Sequence, residues 1–364
     1  MRVGVFGIRG FPFVQGGVEK HCECIYPLLK DCRITVFRRK PYIASSNATY
    51  PNIRFVDLPS TRITGVEALI HSMLSAFCNM FLRPQIVHIH NIGPGLFAPI
   101  LKLMGIKVVL TYHSPNYEHD KWHILAKILL RLCEKIALAT SDAVIFVSEM
   151  QLKKFSPRIQ AKSCFIPNGI EPPALTPEMD YLKSLGVKTN KYILAVGRIT
   201  PEKGFDCLID SFEKGKFASY HLVIAGGVEG QNTYYAQLQK SAASGRVIFA
   251  GHVYGQQLAQ LYTHAALFVL PSRNEGMPIA LLEAMSYGLS VLASDIPANL
   301  EVQLPADCYF HYSEACSDSL CEAIDAKLRL PYAKREYNLE RYDWNAIAEK
   351  TLGVYNAIAK HGRL

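Results

Sequence analysis

Eleven short apolar runs, many of them β-branched, recur along this chain with helix-length stretches between them, and the scheme restarts halfway. The first half holds Val3–Phe6, Ile34–Phe37, Ile53–Val56, Ile86–Ile89, Val108–Thr111 and Ala143–Val147. The second holds Tyr192–Val196, His221–Ala225, Val247–Ala250, Leu267–Leu270 and Val291–Ala293. Runs that are largely apolar suit strands buried on both faces, the condition of a parallel sheet covered by helices. The expected fold is α/β, as two Rossmann-like, doubly wound parallel-sheet domains facing a cleft. Pro167-Asn168-Gly169-Ile170 and then Glu171-Pro172-Pro173 punctuate the pattern, so the domains are expected to be 1–170 and 171–364. The last helix, about 345–364, is free to pack back on the first domain. A length of 364 residues agrees with two cores at roughly 150 residues per domain.

Composition removes several classes. Apolar residues make up 49% and charged residues 19%, a globular mixture far from that of a disordered chain. The longest candidate for a membrane span, Val66 to Leu82, is interrupted by Glu67, His71, Ser72, Ser75 and Asn79, which argues against an integral membrane protein. Ten cysteines without a C-x-x-C pair, in a chain opening directly on a strand, point to reduced thiols and a cytoplasmic location. The net charge of +8 is concentrated in the first half, the second being slightly acidic. A basic first half suits an anionic surface as well as plain solvation. No RNP-like, zinc-finger or helix-turn-helix signature accompanies the charge, so nucleic acid is not an expected partner.

In doubly wound sheets ligands bind beyond the carboxyl ends of the strands. After the first strand come Gly7-Ile8-Arg9-Gly10 and then Gln15-Gly16-Gly17-Val18-Glu19, opening a helix. Neither G-x-G-x-x-G nor G-x-x-x-x-G-K-[ST] is present, but a glycine pair at a helix N-terminus lets backbone N–H groups approach a phosphate. In the second half Tyr192–Val196 runs into Gly197-Arg198-Ile199-Thr200-Pro201-Glu202-Lys203-Gly204. Two cations five residues apart on one loop can converge on a phosphate, Arg in bidentate fashion and Lys as a point charge; ordinary loop charges, or Arg198 paired with a carboxylate, are the alternative. After Leu267–Leu270 comes Pro271-Ser272-Arg273-Asn274-Glu275-Gly276-Met277-Pro278, then Glu283 on the following helix. Pro278 suits a first helical position. The two carboxylates, eight residues apart, would address different parts of a ligand.

Gly197-Arg198-x4-Lys203-Gly204 followed by Glu275-x7-Glu283 resembles the retaining glycosyltransferases of family 4, which have the two-domain GT-B fold. Gly16-Gly17 and the Pro167–Ile170 linker fall in the matching order. The opening Arg9-Gly10-Phe11-Pro12 with Gly16-Gly17-Val18-Glu19 is similar to members that build bacterial surface polysaccharides. The resemblance implies a donor-binding second domain and an acceptor-side first domain. It implies that Arg198 and Lys203 bind the donor pyrophosphate, and that Glu275 holds donor-sugar hydroxyls beside the backbone of Gly276, Met277 and Pro278. Glu283 would hold the ribose, Gly16 and Gly17 would face the distal phosphate, and Val253 in Gly251-His252-Val253-Tyr254 would border the base. His113, in Thr111-Tyr112-His113-Ser114, matches the family's active-site histidine. The implied chemistry is front-face substitution with no metal and no cofactor, the nucleotide-sugar being a substrate. The implied donor is a UDP-N-acetylhexosamine or UDP-hexose, and the acceptor a polyprenyl-pyrophosphate-linked saccharide of O-antigen or capsule assembly. A rhamnosyl- or mannosyltransferase, or a GT-B nucleotide-sugar epimerase, is the alternative.

Two further features remain. His88-x-His90 places two rings on one face of a strand, as in some metal sites, but no nearby carboxylate completes a ligand set, and a structural role is expected. His119 and His123 share a helical face. From Lys121 to Ala139, Trp122, Ile124, Leu125, Ile128, Leu129, Leu132 and Ile136 form an apolar stripe beside Lys127, Arg131 and Lys135. Such a helix ordinarily turns its apolar face into the core, and the basic flank also suits reversible, peripheral docking on an anionic inner membrane.

Overall fold

A computed structural model describes residues 1–43, 48–63, 65–115, 117, 123–215, 217–228, 233–313 and 316–361. The chain divides into two compact units, one made of Met1–Gly169 with Arg341–Leu364 and the other of Ile170–Glu340. The last helix, expected in the second domain with freedom to pack back on the first, therefore lies in the first unit.

The first unit is a seven-stranded parallel sheet of β1 (Arg2–Phe6), β2 (Arg33–Arg39), β3 (Ile53–Leu58), β4 (Ile86–His90), β5 (Lys107–Tyr112), β6 (Ala143–Phe146) and β7 (Ser163–Phe165), in the order 3-2-1-4-5-6-7. Its central strands are buried on both faces, β4 at every position. The two-residue period therefore feeds two cores. Phe6, Val87, Ile89, Val108 and Leu110 pack on one face. Val3, Val5, Val109 and the C-terminal helix Trp344–His361 pack on the other. Each such side chain contributes about 1.5–3 kcal/mol of transfer free energy. The first face carries α2 (Val66–Leu82), α3 (Ala98–Leu103) and α4 (Ile124–Thr140), packed in succession. The second carries α1 (Gly17–Ile25) against the C-terminal helix.

The second unit is a six-stranded parallel sheet of β8 (Tyr192–Val196), β9 (His221–Ala225), β10 (Val247–Gly251), β11 (Leu267–Leu270), β12 (Val291–Ser294) and β13 (Tyr309–Phe310), in the order 10-9-8-11-12-13. Both sheets are doubly wound and Rossmann-like. The structure adds β7 and β13 to the eleven expected strands. Both are short edge strands, three and two residues long, and no apolar run of useful length announces them. The structure also joins Cys207 and Cys316, where all thiols were expected to be reduced. The helices that carry them, Phe205–Lys214 and Cys316–Arg329, pack against each other.

Candidate active site

In the second unit the loops after β8, β9 and β10 are stitched together by backbone hydrogen bonds. Gly197 N donates to Ala225 O at 3.0 Å, Ile199 N to Gly227 O at 3.1 Å and Gly226 N to Gly251 O at 2.7 Å. The packing leaves no room for a side chain at Gly226, whose Cβ would lie 1.7 Å from Gly197 O. Arg198 is thus held between two anchored residues, half-buried, at the carboxyl end of a central strand. Pro201–Lys203 makes one tight turn that ends on Gly204 at φ 64, and helix Phe205–Lys214 follows. A side chain on Gly204 would meet Pro271 O at 2.1 Å, so the loop after β8 is pressed onto the loop after β11.

That contact brings the two motifs together. Lys203 Nζ donates to Glu275 Oε1 at 2.6 Å, and Ser272 Oγ donates to the same oxygen at 2.6 Å. Ser272 is itself buried, and its carbonyl accepts from Ser294 Oγ at 2.6 Å. Arg273 fastens the two loops: its N–H donates to Glu202 O at 2.8 Å, its Nη1 to Pro201 O at 3.2 Å and its Nε to Tyr312 OH at 2.8 Å. Its remaining guanidinium nitrogen pairs with Asp206, which also accepts from Tyr234 OH at 2.7 Å. Nothing in the sequence marks Arg273 and Asp206 as partners, although Arg273 stands two residues from Glu275 in the same loop motif.

Pro278 is the residue that precedes the helix, with φ −82 and ψ 82, and the helix runs Ile279–Ser286; it is not the first helical residue as expected. Glu275 therefore sits in the loop, while Glu283 stands on the helix and accepts from Tyr262 OH at 3.0 Å. Tyr262 is fully buried and stacks on Tyr287 at 5.2 Å; burial first, and the Glu283 charge second, push its phenol well up. Met277 and Val253 are buried. Gly276 lies between Glu275 and Met277 in the same loop, and Val253 follows the left-handed Gly251 at φ 70.

In the first unit Gly16 caps α1, and a side chain there would meet Glu19 Oε2 at 2.0 Å. Glu19 Oε1 accepts from Arg9 N at 3.1 Å, so a carboxylate lies over the Gly16-Gly17 turn. His113 follows β5 and is buried. Its Nε2 is 2.9 Å from His90 Nδ1. His90 Nε2 is 2.5 Å from Tyr26 OH and 3.5 Å from Cys22 Sγ. The His88 and His90 rings stack at 4.5 Å, the shared face that their spacing implied. His21, on α1, was not singled out in the sequence. Its ring is 5.2 Å from that of His113, and its Nδ1 donates to Asn168 Oδ1 at 2.8 Å. The linker motif is thus more than punctuation: Asn168 fixes His21, and Gly169 leaves room for the Trp344 ring, which a Cβ would meet at 2.5 Å. Burial holds His21 down at about 4 and His90 and His113 well below the ordinary imidazole value, so these rings are neutral. Among the described residues, His21, His90 and His113 also bring one nitrogen each within 4.8 Å of the others, the reach of a metal ion.

The apolar stripe of α4 is not turned into the core. Cys133, Glu134, Ala137 and Leu138 face inward, while Ile124 and Leu125 are 75% and 80% exposed, and Ile128, Leu129 and Leu132 are exposed with them. At 100° per residue the inward residues fall on the side of α4 opposite the stripe, so the sheet is covered by that side and the stripe is left on the surface. Neighbouring α2 exposes Leu69, Met73, Phe77 and Phe81, one residue per turn, and α3 exposes Ile100 and Leu103. No helix among the described residues is long and apolar enough to cross a membrane. His123 stands at the N-terminal cap of α4. His119, Lys121 and Trp122 lie outside the described residues.

Residues 16–172 match the family Glycosyltransferase Family 4, and residues 180–343 match Glycosyl transferases group 1. The alpha-maltose-1-phosphate synthase of Mycolicibacterium smegmatis is 27% identical over 99% of this chain and 100% of its own. The phosphatidyl-myo-inositol mannosyltransferase of the same organism is 24% identical over 100% and 95%. Among solved structures, the sucrose-phosphate synthase of Thermosynechococcus elongatus superposes with a TM-score of 0.82 at 20% identity over 98% of each chain. Anabaena HepE, in complex with UDP and glucose, does so with 0.76 at 17% over 98% and 100%. With two doubly wound sheets, a cation–carboxylate pair at the strand ends of the second, and family matches across both halves, this chain belongs to the GT-B glycosyltransferases, as a hexosyltransferase of family 4.

Proposed function

We propose that this enzyme transfers a hexose or N-acetylhexosamine from a UDP-sugar, with retention of configuration and without metal, to a polyprenyl-pyrophosphate-linked saccharide in O-antigen or capsule assembly. The observation that carries the donor half is the Lys203–Glu275 pair, which sets a cation and a sugar-binding carboxylate 2.6 Å apart on one rigid double loop. In this reading Arg198 and Lys203 neutralise the departing pyrophosphate and Glu275 orients the donor-sugar hydroxyls. Gly276, Met277 and Pro278 offer backbone contacts, Glu283 the ribose contact and Val253 a wall for the base. Gly16 and Gly17 approach the distal phosphate, and His113 faces the donor sugar. Stabilising charge where it develops on the leaving group is the largest contribution such a site makes. The leaving phosphate oxygen takes the acceptor's proton, so the site needs no carboxylate base.

The donor is tested by thermal melts with UDP, GDP, dTDP, ADP and NAD, first without metal and then with magnesium. A ligand that binds only the native state raises its melting temperature, so a metal-independent response to UDP is expected. A response to GDP or dTDP would redirect the sugar toward mannose or rhamnose, and a strict need for magnesium would overturn the metal-free chemistry.

The lipid acceptor rests on the exposed apolar residues of α2, α3 and α4, flanked by Lys127, Arg131 and Lys135. Soluble monomers rarely expose contiguous apolar patches beyond a few hundred Å², and apolar area beside basic residues is what an anionic membrane surface binds. One relative is named for a sugar-phosphate product and another for phosphatidyl-myo-inositol; this face favours the lipid. In this reading the enzyme associates peripherally with the cytoplasmic side of the inner membrane. The protein is expected to float with vesicles containing phosphatidylglycerol and to lose most of that binding in Phe77→Ser/Phe81→Ser/Leu129→Ser. Flotation indifferent to both the anionic lipid and the substitutions would remove the membrane from this reading.

A further inference from the structure

The hydrogen-bond chain that ends on His113 admits two proton orders, and its phenols choose between them. Burial holds His88 at about 3 and keeps His90 and His113 neutral too, so each ring carries one proton. Tyr26 OH lies 2.5 Å from His90 Nε2, and Tyr355 OH lies 2.6 Å from His88 Nδ1. A phenol is the better donor of each pair, and a bare imidazole nitrogen is the acceptor that such short contacts suit. With its Nε2 accepting, His90 carries its proton on Nδ1 and donates across 2.9 Å to His113 Nε2. His113 is then protonated on Nδ1. By the same rule His88 keeps its proton on Nε2 and donates to Thr111 Oγ1 at 2.6 Å. Each nitrogen of His88 and His90 thereby has one role, and none of these contacts sets two protons against each other.

We propose that Tyr26 and His90 are positioning residues that fix His113 as the Nδ1–H tautomer, so that it offers the substrate a hydrogen-bond donor and not a base. The inference rests on the reading that His113 faces the donor sugar, and it deepens that reading: a donor is what a sugar oxygen or a leaving phosphate oxygen accepts. Tyr355, on the C-terminal helix, supports the order by occupying His88 Nδ1, which otherwise competes for the Tyr26 proton at 3.1 Å; the Tyr355 hydroxyl oxygen, hydrogen-bonded to Tyr26, is then the remaining rival of His90 for that proton. A metal ion shared by His21, His90 and His113 is the rival use of these nitrogens. Around a tetrahedral ion with bonds of ~2.05 Å they would sit roughly 3.3 Å apart, all as lone pairs. His90 and His113 are instead 2.9 Å apart, close enough to share one proton.

The test is ring 15N spectroscopy of histidine-labelled full-length protein, with His113 assigned by its loss in His113→Gln. The expected wild-type signature is a protonated Nδ1 and an unprotonated Nε2. Tyr26→Phe is expected to shift His113 toward the Nε2–H form and to lower kcat about tenfold with the donor KM within about twofold. Tyr355→Phe, which also keeps its ring, should shift it less. A wild-type His113 protonated on Nε2, a His113 signature unmoved by Tyr26→Phe, or one zinc per purified chain that disappears in His21→Ala would each overturn the proposal. Full activity in His113→Ala would fail differently: it would remove His113 from the active site, and the positioning role with it, while the tautomer shift in Tyr26→Phe would persist.

Discussion

Lys203→Ala and Glu275→Ala should each lower the rate of sugar transfer by about 10²–10³-fold, the loss seen when a group aimed at developing charge is removed from an enclosed site. The effect on stability should be small by comparison. Lys203 and Glu275 are 22% and 10% exposed as side chains, so the pair keeps part of its hydration in the free enzyme. The net worth of such a part-buried pair is small, and truncating one partner, which leaves the other incompletely paired, should cost about 1–3 kcal/mol. This contrast separates a catalytic pair from a structural one. If the pair only held the loops after β8 and β11 together, Lys203→Met/Glu275→Leu would restore that attachment with apolar contact and recover activity along with stability. If the two groups act on the donor, the double variant should be as inactive as either single one, because residues that work as a unit give non-additive losses. Activity within a few-fold of wild type in both single variants would sink the assignment. The measurement is initial-rate kinetics with the donor found by the melts, each variant being accepted only if its melting temperature stays within a few degrees of wild type.

Most of the fold could be read from the chain because the signal was local. Central strands buried on both faces are mostly apolar, as β8 is throughout and β4 is apart from His88 and His90, and such a run is visible without knowing its neighbours. Edge strands have no such need, which is why Ser163–Phe165 and Tyr309–Phe310 escaped notice. The candidate site shows the same division. Lys203 and Glu275 stood out as motif residues, but their 2.6 Å contact spans 72 positions, and only the packing of Gly204 on Pro271 creates it. Arg273 and Asp206, 67 positions apart, look like ordinary loop and helix charges until the fold pairs them. His21 was silent for another reason: one histidine on a mixed helix face means little until Asn168 and His113 arrive from elsewhere. The α4 stripe marks the limit from the opposite side. Periodicity reports that a helix has an apolar face, but what that face meets depends on how much of the sheet remains uncovered, and here Leu125 is 80% exposed.

Gly226→Ala should be the most damaging single-methyl change in the second unit, and Gly353→Ala in the first should do no harm. A Cβ on Gly226 would sit 1.7 Å from the carbonyl oxygen of Gly197, a backbone atom with no rotamer into which to retreat. Either β9 or the Gly197-Arg198 segment must move, and both are tied: Gly197 N to Ala225 O, Ile199 N to Gly227 O and Gly226 N to Gly251 O. Overpacking commonly costs about 1–3 kcal/mol, and the fixed hydrogen bonds place this case at the upper end or above, at about 2–4 kcal/mol. Relief by shifting Gly197 would displace Arg198, the next residue, so activity should fall further than stability alone explains, by about 10²-fold for a misplacement near 1 Å. Gly353 is the control. It lies within helix Trp344–His361, and a Cβ there meets nothing within 4 Å. Alanine in a helix interior is favoured over glycine by up to about 1 kcal/mol, so Gly353→Ala should raise the melting temperature slightly and leave transfer unchanged. The decisive comparison is the melting temperature and kcat of the two variants side by side. If Gly226→Ala melts and turns over like wild type, the loops after β8 and β9 are looser than the interlocked hydrogen bonds require, and Arg198 is not held where donor binding would need it.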